Sequence, residues 1–387
     1  MKRALRIALI CDDHTWILGY IARELRERIN RHSETLRTNV HLRPQSPGQL
    51  RAIERSCDVV HFLSPWDFLP LHRALTKPVV VTYHHVVEGG WNIFDDHHAW
   101  VDAICSVTPE WARAFGARKG PHAGEIYLTP YGIDGTVFRP IGGGRAAMLE
   151  QFGLGDDALV LGFSGSKASN YLGRKSLDRI FAVMSALRAR HGDRGRLILF
   201  GRGWTIDEVP ADLRGSVTIP GFLPFAELPA LYNGLDYYLC LSSCEGGPYP
   251  VMECMACEVK VISTPVGVVP SLIRDGVNGF QVGHDDYLER VVRIIDEWTT
   301  DSEASRALRR EARHSVLERH AWEKSADPAL YEPIYRGAVR HWKARSLPER
   351  LAPRLHHLSS SFLRRPVGTA RQLVRRGARY LRNKDLG

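Results

Sequence analysis

The chain has 387 residues, of which 44% are apolar, 25% charged and 9% aromatic. This length and composition predict about two folded domains, and they exclude a small disulfide-stabilised module and a mostly disordered chain. The formal net charge is +9 at pH 7. Residues 336–387 hold 14 of the 52 basic and two of the 43 acidic side chains, a local charge of +12, so the rest of the chain carries −3. The basic character therefore belongs to the C-terminal segment.

The N-terminus and the cysteines indicate a reducing compartment. The apolar run at residues 4–11 is interrupted by Arg6 and ended by Asp12 and Asp13, which predicts a buried first strand rather than a signal peptide. No stretch approaches 18 consecutive apolar residues, so we expect no membrane-spanning helix. Seven cysteines are an odd number for a disulfide framework. We therefore expect a cytoplasmic protein.

Four cysteines have the spacing of two zinc half-sites, Cys240 with Cys244 and Cys254 with Cys257. The first pair follows a predicted strand and the second lies in a predicted helix, whereas zinc knuckles usually place paired ligands in tight turns. Buried cysteines explain this spacing equally well. We therefore expect no metal site.

Short apolar runs alternate with amphipathic stretches along most of the chain, a pattern that predicts an α/β fold with doubly wound parallel sheets. The runs lie at residues 7–10, 59–62, 79–82, 103–107, 159–163, 197–200, 217–219, 236–240 and 259–262. A turn-rich stretch at 139–144 divides them, which predicts two Rossmann-like domains, 1–142 and 143–315. Because ligands bind beyond the carboxyl ends of such strands, we expect a cleft between the two domains.

The C-terminal segment, residues 346–387, combines arginines with apolar residues at helical spacing, including Leu351, Leu355, Leu358 and Phe362. Basic amphipathic patterns of this kind are typical of segments that lie on an anionic membrane surface. Two other interpretations remain open, namely a solvated tail and a segment that packs on a partner. We expect no nucleic-acid binding because aromatic residues for base stacking are nearly absent from the segment.

The densest chemical signal lies in residues 242–280. Glu245 stands at the start of a glycine loop, with Gly246 and Gly247, and Glu253 lies in the helix that follows. Free backbone N–H groups at a helix N-terminus suit a phosphate or a sugar hydroxyl, and carboxylates accept hydrogen bonds from hydroxyls. We therefore predict that Glu253 binds a ribose and that Glu245 lies near a sugar.

The whole stretch 242–280 closely resembles the retaining group 1, family 4-like glycosyltransferases, whose fold is called GT-B. Residues 127–140 and 220–232 are similar to two further segments of that family. Residues 321–323 resemble its last helix, which crosses back to the N-terminal domain, and this assigns 316–345 to that return. The resemblance covers roughly residues 5 to 337.

The resemblance implies a nucleotide-sugar donor on the C-terminal domain, with Glu253 on the ribose and Glu245 near the donor sugar. It also implies that backbone amides at Gly246 and Gly247 hold sugar or phosphate.

In the family, a Gly-Arg pair and a later lysine usually meet the diphosphate. Gly165 and Lys175 match that pattern, but Ser166 stands at the arginine position. Lys167 or Arg174 is then expected to supply the missing charge.

In the N-terminal half, the strand ending at His84 resembles the family strand whose histidine faces the donor sugar. His84 is preferred over His85 by position only, and a solvated loop or a metal site with His97 and His98 are the alternatives. The first loop, residues 11–16, lacks the Gly-Gly pair of many relatives. We expect Trp16 and residues 88–92 to shape an acceptor site instead.

The resemblance therefore implies that a sugar passes with retention from a nucleotide-sugar donor to a saccharide or lipid-linked acceptor, at the cytoplasmic membrane face and in polysaccharide biosynthesis. In the implied mechanism, the leaving group departs from the same face of the sugar that the acceptor attacks. No metal or other cofactor takes part. A nucleotide-sugar epimerase or phosphorylase on the same fold is one alternative, although neither pattern is visible. A catalytically degenerate binding subunit is another, which Ser166 and the altered first loop keep open.

Overall fold

The computed structural model describes residues 3–87, 89–169 and 173–345, so the basic segment 346–387 lies outside the described residues. The described chain forms two six-stranded sheets in which all paired strands are parallel. The first sheet contains β1 (Leu5–Cys11), β2 (Leu36–Leu42), β3 (Val59–Phe62), β4 (Val79–Tyr83), β5 (Ala103–Ser106) and β6 (Glu125–Leu128). The second contains β7 (Leu159–Ser164), β8 (Gly195–Phe200), β9 (Val217–Gly221), β10 (Tyr237–Cys240), β11 (Lys260–Ser263) and β12 (Phe280–Gln281).

Helices connect the strands in both halves of the chain. The N-terminal half contains α1 (Ile17–His32), α2 (Pro47–Ser56), α3 (Pro65–Phe68), α4 (Trp91–Asp95) and α5 (Pro109–Arg118). The remainder contains α6 (Gly144–Gln151), α7 (Leu177–His191), α8 (Leu228–Tyr232), α9 (Tyr249–Ala256), α10 (Val269–Leu272), α11 (Tyr287–Trp298), α12 (Glu303–His320), α13 (Trp322–Ser325) and α14 (Pro328–Ala344). Within the described ranges, every helix is too short or too polar to cross a bilayer.

The strand order is β2-β1-β3-β4-β5-β6 in the first sheet and β12-β11-β10-β7-β8-β9 in the second. Each order reverses direction once, between β1 and β3 and between β7 and β10. This confirms the predicted architecture of two Rossmann-like domains. Ligands in such sheets bind at the reversal, because the loops that leave its two strands diverge and open a crevice.

Each sheet is buried on both of its faces. Along β1, for example, Ile7 and Leu9 belong to one apolar cluster, whereas Ala8 and Ile10 belong to another. Since successive side chains of a strand point to opposite faces, the sheet is covered on both sides, as parallel sheets generally are.

The last helices carry the chain back to the first sheet. Helix α14 packs against β3, β4, β5 and α1, while the indole Nε1 of Trp322 donates to the Tyr20 hydroxyl at 3.0 Å. A Cβ atom at Gly132 would lie 2.1 Å from the Trp322 ring. Only glycine therefore allows the chain to pass this ring, which closes the N-terminal domain beside the cleft.

Candidate active site

Glu245 lies in the loop between β10 and α9, and only 6% of its surface is exposed. Its Oε2 is 2.6 Å from Arg174 Nη1 and its Oε1 is 2.7 Å from Lys175 Nζ. The Ser242 hydroxyl also donates to Oε1 at 3.0 Å. Burial alone would raise the pKa of Glu245, but the charges of Lys175 and Arg174 more than offset it and hold the pKa at about 2. The carboxylate is therefore a permanent anion between two cations.

These two cations come from the loop between β7 and α7, on the other side of the strand-order reversal. Arg174 Nη1 also donates to the Cys244 carbonyl at 2.8 Å, and the Ser243 N–H donates to the Arg174 carbonyl at 2.9 Å. The loops after β7 and β10 are thus joined at the place where ligands bind in this fold. Lys175 and Glu245, which the sequence predicted as parts of one donor site, contact each other directly.

Glu253 lies in the second turn of α9, with 3% of its surface exposed. The Tyr232 hydroxyl donates to its Oε2 at 2.6 Å. Burial raises the pKa of Glu253 to about 7, although the hydrogen bond from Tyr232 lowers it in part. At neutral pH this carboxyl group is therefore close to its pKa, whereas that of Glu245 stays ionised.

The N-terminal domain covers the loop that carries Glu245. The indole Nε1 of Trp111 donates to the Glu245 carbonyl at 2.9 Å. On the following helix, the Tyr249 hydroxyl donates to the Gly132 carbonyl at 2.8 Å. Two hydrogen bonds between the domains therefore fix this loop and α9 against the first domain.

Gly246 and Gly247 allow the two domains to approach closely. A Cβ atom at Gly246 would lie 2.8 Å from the His84 carbonyl oxygen, and one at Gly247 would lie 2.5 Å from the Tyr131 ring. Both glycines therefore face the N-terminal domain in this arrangement.

His84 uses both of its ring nitrogens within the N-terminal domain. Its Nε2 lies 2.7 Å from the Leu63 carbonyl, to which it must donate, so Nδ1 accepts from the Tyr131 hydroxyl. Burial lowers the pKa of His84, and the ring is neutral in this pairing.

His85 has a different environment from its neighbour. Its ring lies 6.4 Å from the ring of Trp111, and its buried Nδ1 has no hydrogen-bond partner among the described residues. Burial, reinforced by the positive charge of Arg174, lowers the pKa of His85 to about 3. His85 therefore presents a buried, unpaired nitrogen near the Glu245 cluster, and the predicted role of His84 stays a prediction.

The loop after β7 differs from a simple phosphate cradle. The Gly165 N–H donates to the Phe200 carbonyl at 3.1 Å, and the Gly165 carbonyl accepts from Trp204 Nε1 at 2.6 Å. The N–H and carbonyl groups of Gly165 are therefore both hydrogen-bonded within the domain, and its predicted donor contact stays a prediction. Lys167, also predicted to bind the donor, forms an ion pair with Glu208 and is 57% exposed.

Sequence reasoning missed Arg202, which lies two residues after the end of β8. Its guanidinium carbon lies 4.3 Å from the ring centroid of Phe222 and 5.7 Å from that of Trp16. Trp16 belongs to the first loop of the N-terminal domain, so this contact crosses the cleft. A charged residue between Gly201 and Gly203 at a strand end was the available signal.

The cysteines and histidines considered as metal ligands have other roles here. Cys240, Cys254 and Cys257 are buried free thiols, and Cys244 is partly buried. His97 and His98 contact backbone carbonyls one helical turn away. Within residues 3–87, 89–169 and 173–345, no three His, Cys, Asp or Glu side chains gather so as to hold a metal ion.

The family model for glycosyl transferases group 1 matches residues 167–315. The chain is 26% identical over 271 residues to a GDP-mannose-dependent alpha-(1-6)-phosphatidylinositol monomannoside mannosyltransferase of Mycolicibacterium smegmatis, covering 65% of this chain and 69% of that protein. It is 31% identical over 218 residues to a D-inositol 3-phosphate glycosyltransferase of Thermobifida fusca, covering 51% and 48%. The chain thus spans about half to two thirds of the length of these curated relatives.

Solved structures share the fold. A crystal structure of Anabaena HepE in complex with UDP and glucose superimposes with a TM-score of 0.68 at 14% identity, covering 86% of this chain and all of that one. Sucrose-phosphate synthase from Thermosynechococcus elongatus gives a TM-score of 0.68 at 18% identity, covering 88% and all of that chain. At these identities the likeness concerns the fold.

Two facing Rossmann-like domains make up the fold called GT-B, which this chain shares with the solved structures. The match over residues 167–315 and the similarity to curated glycosyltransferases agree with the group 1 glycosyltransferase that the sequence pattern predicts.

Proposed function

We propose that this glycosyltransferase moves a sugar, with retention, from a nucleotide-sugar donor to a saccharide or lipid-linked saccharide acceptor in polysaccharide biosynthesis. The observation that carries the proposal is the cluster of Glu245, Arg174 and Lys175 at the strand-order reversal of the second sheet. Such a cluster offers cations to a diphosphate and a carboxylate to a sugar in one place.

The donor would lie along the loops after β7 and β10. Its ribose hydroxyls would donate to Glu253, which is buried on α9. Its diphosphate would bind Lys175 and Arg174, which neutralise Glu245 in this structure. Lys167 is exposed and would contribute mainly through long-range attraction.

In the reaction, the bond between the anomeric carbon and the diphosphate oxygen breaks, and a bond from the acceptor oxygen to the same carbon forms. The acceptor proton passes to a phosphate oxygen, and the nucleoside diphosphate leaves. Lys175 and Arg174 would stabilise the charge that develops on the leaving group, and no cofactor is part of the proposal. Glu245, freed of one cation, would accept hydrogen bonds from the sugar hydroxyls.

The site of action that we propose is the cytoplasmic face of a membrane. Two features support it: the sequence of residues 346–387, with its excess of arginine, and the similarity to a mannosyltransferase that acts on a phosphatidylinositol monomannoside. An acceptor held in a membrane would require this chain to work at the membrane surface. An anionic surface of that kind would attract the basic segment.

A thermal-shift screen against UDP-, GDP- and ADP-sugars tests the proposal, because a ligand that binds the native state raises the melting temperature. The full chain and a version ending at Arg345 are expected to respond to the same nucleotide sugar. Only the full chain is expected to sediment with anionic vesicles. If no nucleotide sugar raises the melting temperature, the donor assignment is wrong. If both versions sediment equally with the vesicles, the membrane role of the basic segment is wrong.

A further inference from the structure

Arg202 differs in its contacts from the other basic residues beside the cleft. Lys167 is paired with Glu208, and Arg174 and Lys175 share Glu245. Arg202, in contrast, contacts aromatic rings, and none of the ion pairs among the described residues involves it. Its charge is therefore available to a bound anion at little electrostatic cost.

The backbone places Arg202 beside Ser166, the position at which the family resemblance implies an arginine. The Lys167 N–H donates to the Arg202 carbonyl at 2.9 Å. Gly201, with a positive φ of 125°, approaches so closely that a Cβ atom there would lie 2.0 Å from the Gly165 carbonyl oxygen. The loops after β7 and β8 thus run side by side, and an arginine on the second is a neighbour of Ser166 on the first.

The aromatic contacts determine which part of the guanidinium remains for a ligand. The guanidinium carbon of Arg202 lies over the rings of Phe222 and Trp16, so the two rings hold the cation in position. Contact with an aromatic face uses the charge but not the N–H donors, and a phosphate binds those N–H groups. Trp16 comes from the first loop of the N-terminal domain, so the guanidinium lies between the two domains.

We propose that Arg202 binds the diphosphate of the donor. From the loop after β8 it would supply the positive charge that is missing at Ser166, and Trp16 and Phe222 would hold its guanidinium in place. This inference rests on the proposed function, since it assigns a residue to the donor of that reaction. It also gives Trp16 in the first loop a role, because its ring positions a cation at the cleft.

Calorimetric titration of the full chain tests the inference. The probes are UDP and GDP, and then the monophosphate and the nucleoside of whichever base binds. Arg202→Gln is expected to weaken diphosphate binding by roughly 10- to 100-fold, as the loss of a charge-assisted hydrogen bond implies. It should weaken monophosphate binding less and leave nucleoside binding unchanged. Arg202→Lys, which keeps the charge but loses the planar fork, should give an intermediate affinity.

Arg196→Gln is the matched control, because Arg196 lies near the opposite end of β8 and donates to the Gly215 carbonyl. It should leave all affinities unchanged. If Arg202→Gln unfolds the protein, the comparison of Arg202→Lys with wild type decides in its place. Unchanged diphosphate affinity in both Arg202 variants, or an equal loss for the nucleoside, would overturn the inference while the proposed function stands. Failure of the wild-type chain to bind any nucleoside diphosphate would overturn the proposed function itself.

Discussion

Glu245 and Glu253 are eight residues apart and almost equally buried, at 6% and 3% exposure, yet their electrostatic environments are opposite. Glu245 lies between Arg174 and Lys175, and its pKa falls to about 2. Glu253 has a hydroxyl partner and apolar surroundings, and its pKa rises to about 7. Burial penalises both carboxylates, so the difference comes from the cations.

The comparison separates two ways in which a donor can be recognised. In the proposed function, a diphosphate would bind by taking over the cations that Glu245 holds in this structure. Among the described residues, Glu253 has no cation beside it, so ribose hydroxyls that donate to its carboxylate would favour the ionised form and release a proton. Donor binding should therefore combine an exchange of ion pairs with a proton loss near neutral pH.

The largest effect is expected from Glu245→Gln, which leaves Arg174 and Lys175 buried without their shared anion. Breaking a buried pair in this way costs about 3–5 kcal/mol in the free energy of unfolding. Urea denaturation at pH 7.5 measures it. Glu208→Gln, which breaks the exposed pair with Lys167, is the control and should cost about 0–1 kcal/mol. Similar losses in the two variants would contradict the assigned environment of Glu245.

The pH dependence of this variant has a definite sign. The pKa of Glu245 in the folded protein is below its ordinary value of 4.5, so its stabilising contribution is complete above pH 4.5 and is lost as the pH falls towards 2. The stability difference between wild type and Glu245→Gln should therefore shrink on acidification. A nucleoside diphosphate should restore part of the lost stability at pH 7.5, because its phosphates supply the missing anion.

An effect of opposite sign is expected from Glu253→Gln. The pKa of Glu253 in the folded protein is above 4.5, so its favourable contribution is complete below pH 4.5 and is lost as the pH rises through about 7. At pH 8.5 the wild type carries a buried charge that costs on the order of 3 kcal/mol, and the variant should be the more stable protein. At pH 5 the two should be nearly equal.

Denaturation at the two pH values checks this expectation. Tyr232→Phe is the companion variant, because it removes the hydroxyl that donates to Glu253 and should deepen the loss of stability at pH 8.5. Nucleotide affinity should fall in Glu253→Gln even though the protein is more stable. A variant that is less stable than wild type at pH 8.5 would refute the raised pKa.

The sequence predicted the parts of this comparison that depend on local pattern. Alternating apolar runs predicted the two parallel sheets, and the glycine loop before a helix predicted where Glu245 and Glu253 stand. The partners were harder to predict, because Arg174 and Glu245 are 71 residues apart and meet only when β7 and β10 become neighbours. The bridge from Arg202 to Trp16 depends on how two domains close, which no local pattern encodes.

His84 and His85 are a second case in which the local sequence does not predict a tertiary contact. Adjacent residues at a strand end point in different directions, so chain position cannot decide which ring meets the site. The Leu63 carbonyl and the Tyr131 hydroxyl occupy the nitrogens of His84, while His85 keeps a buried, unpaired Nδ1 near the cations. The choice between them requires the packing of β3 and of the loop after β6 against β4.

The smallest effects are expected from the two hydrogen bonds that join the domains beside the glutamates. Trp111→Phe keeps an aromatic ring but removes the N–H that donates to the Glu245 carbonyl. Tyr249→Phe likewise removes the hydroxyl that donates to the Gly132 carbonyl beside the Glu253 helix. Each should lower the free energy of unfolding by about 1 kcal/mol, measured in urea.

Their effects on the donor should differ, and this difference would sharpen the comparison. Trp111 fixes the loop that carries Glu245, so Trp111→Phe should reduce the affinity for a nucleotide sugar more than that for the same nucleoside diphosphate. Tyr249 fixes the helix that carries Glu253, so Tyr249→Phe should reduce both affinities by the same factor. If the ratio of nucleotide-sugar affinity to nucleoside-diphosphate affinity changes equally in the two variants, the Glu245 loop and α9 move as one unit. The two glutamates would then recognise the donor together rather than separately.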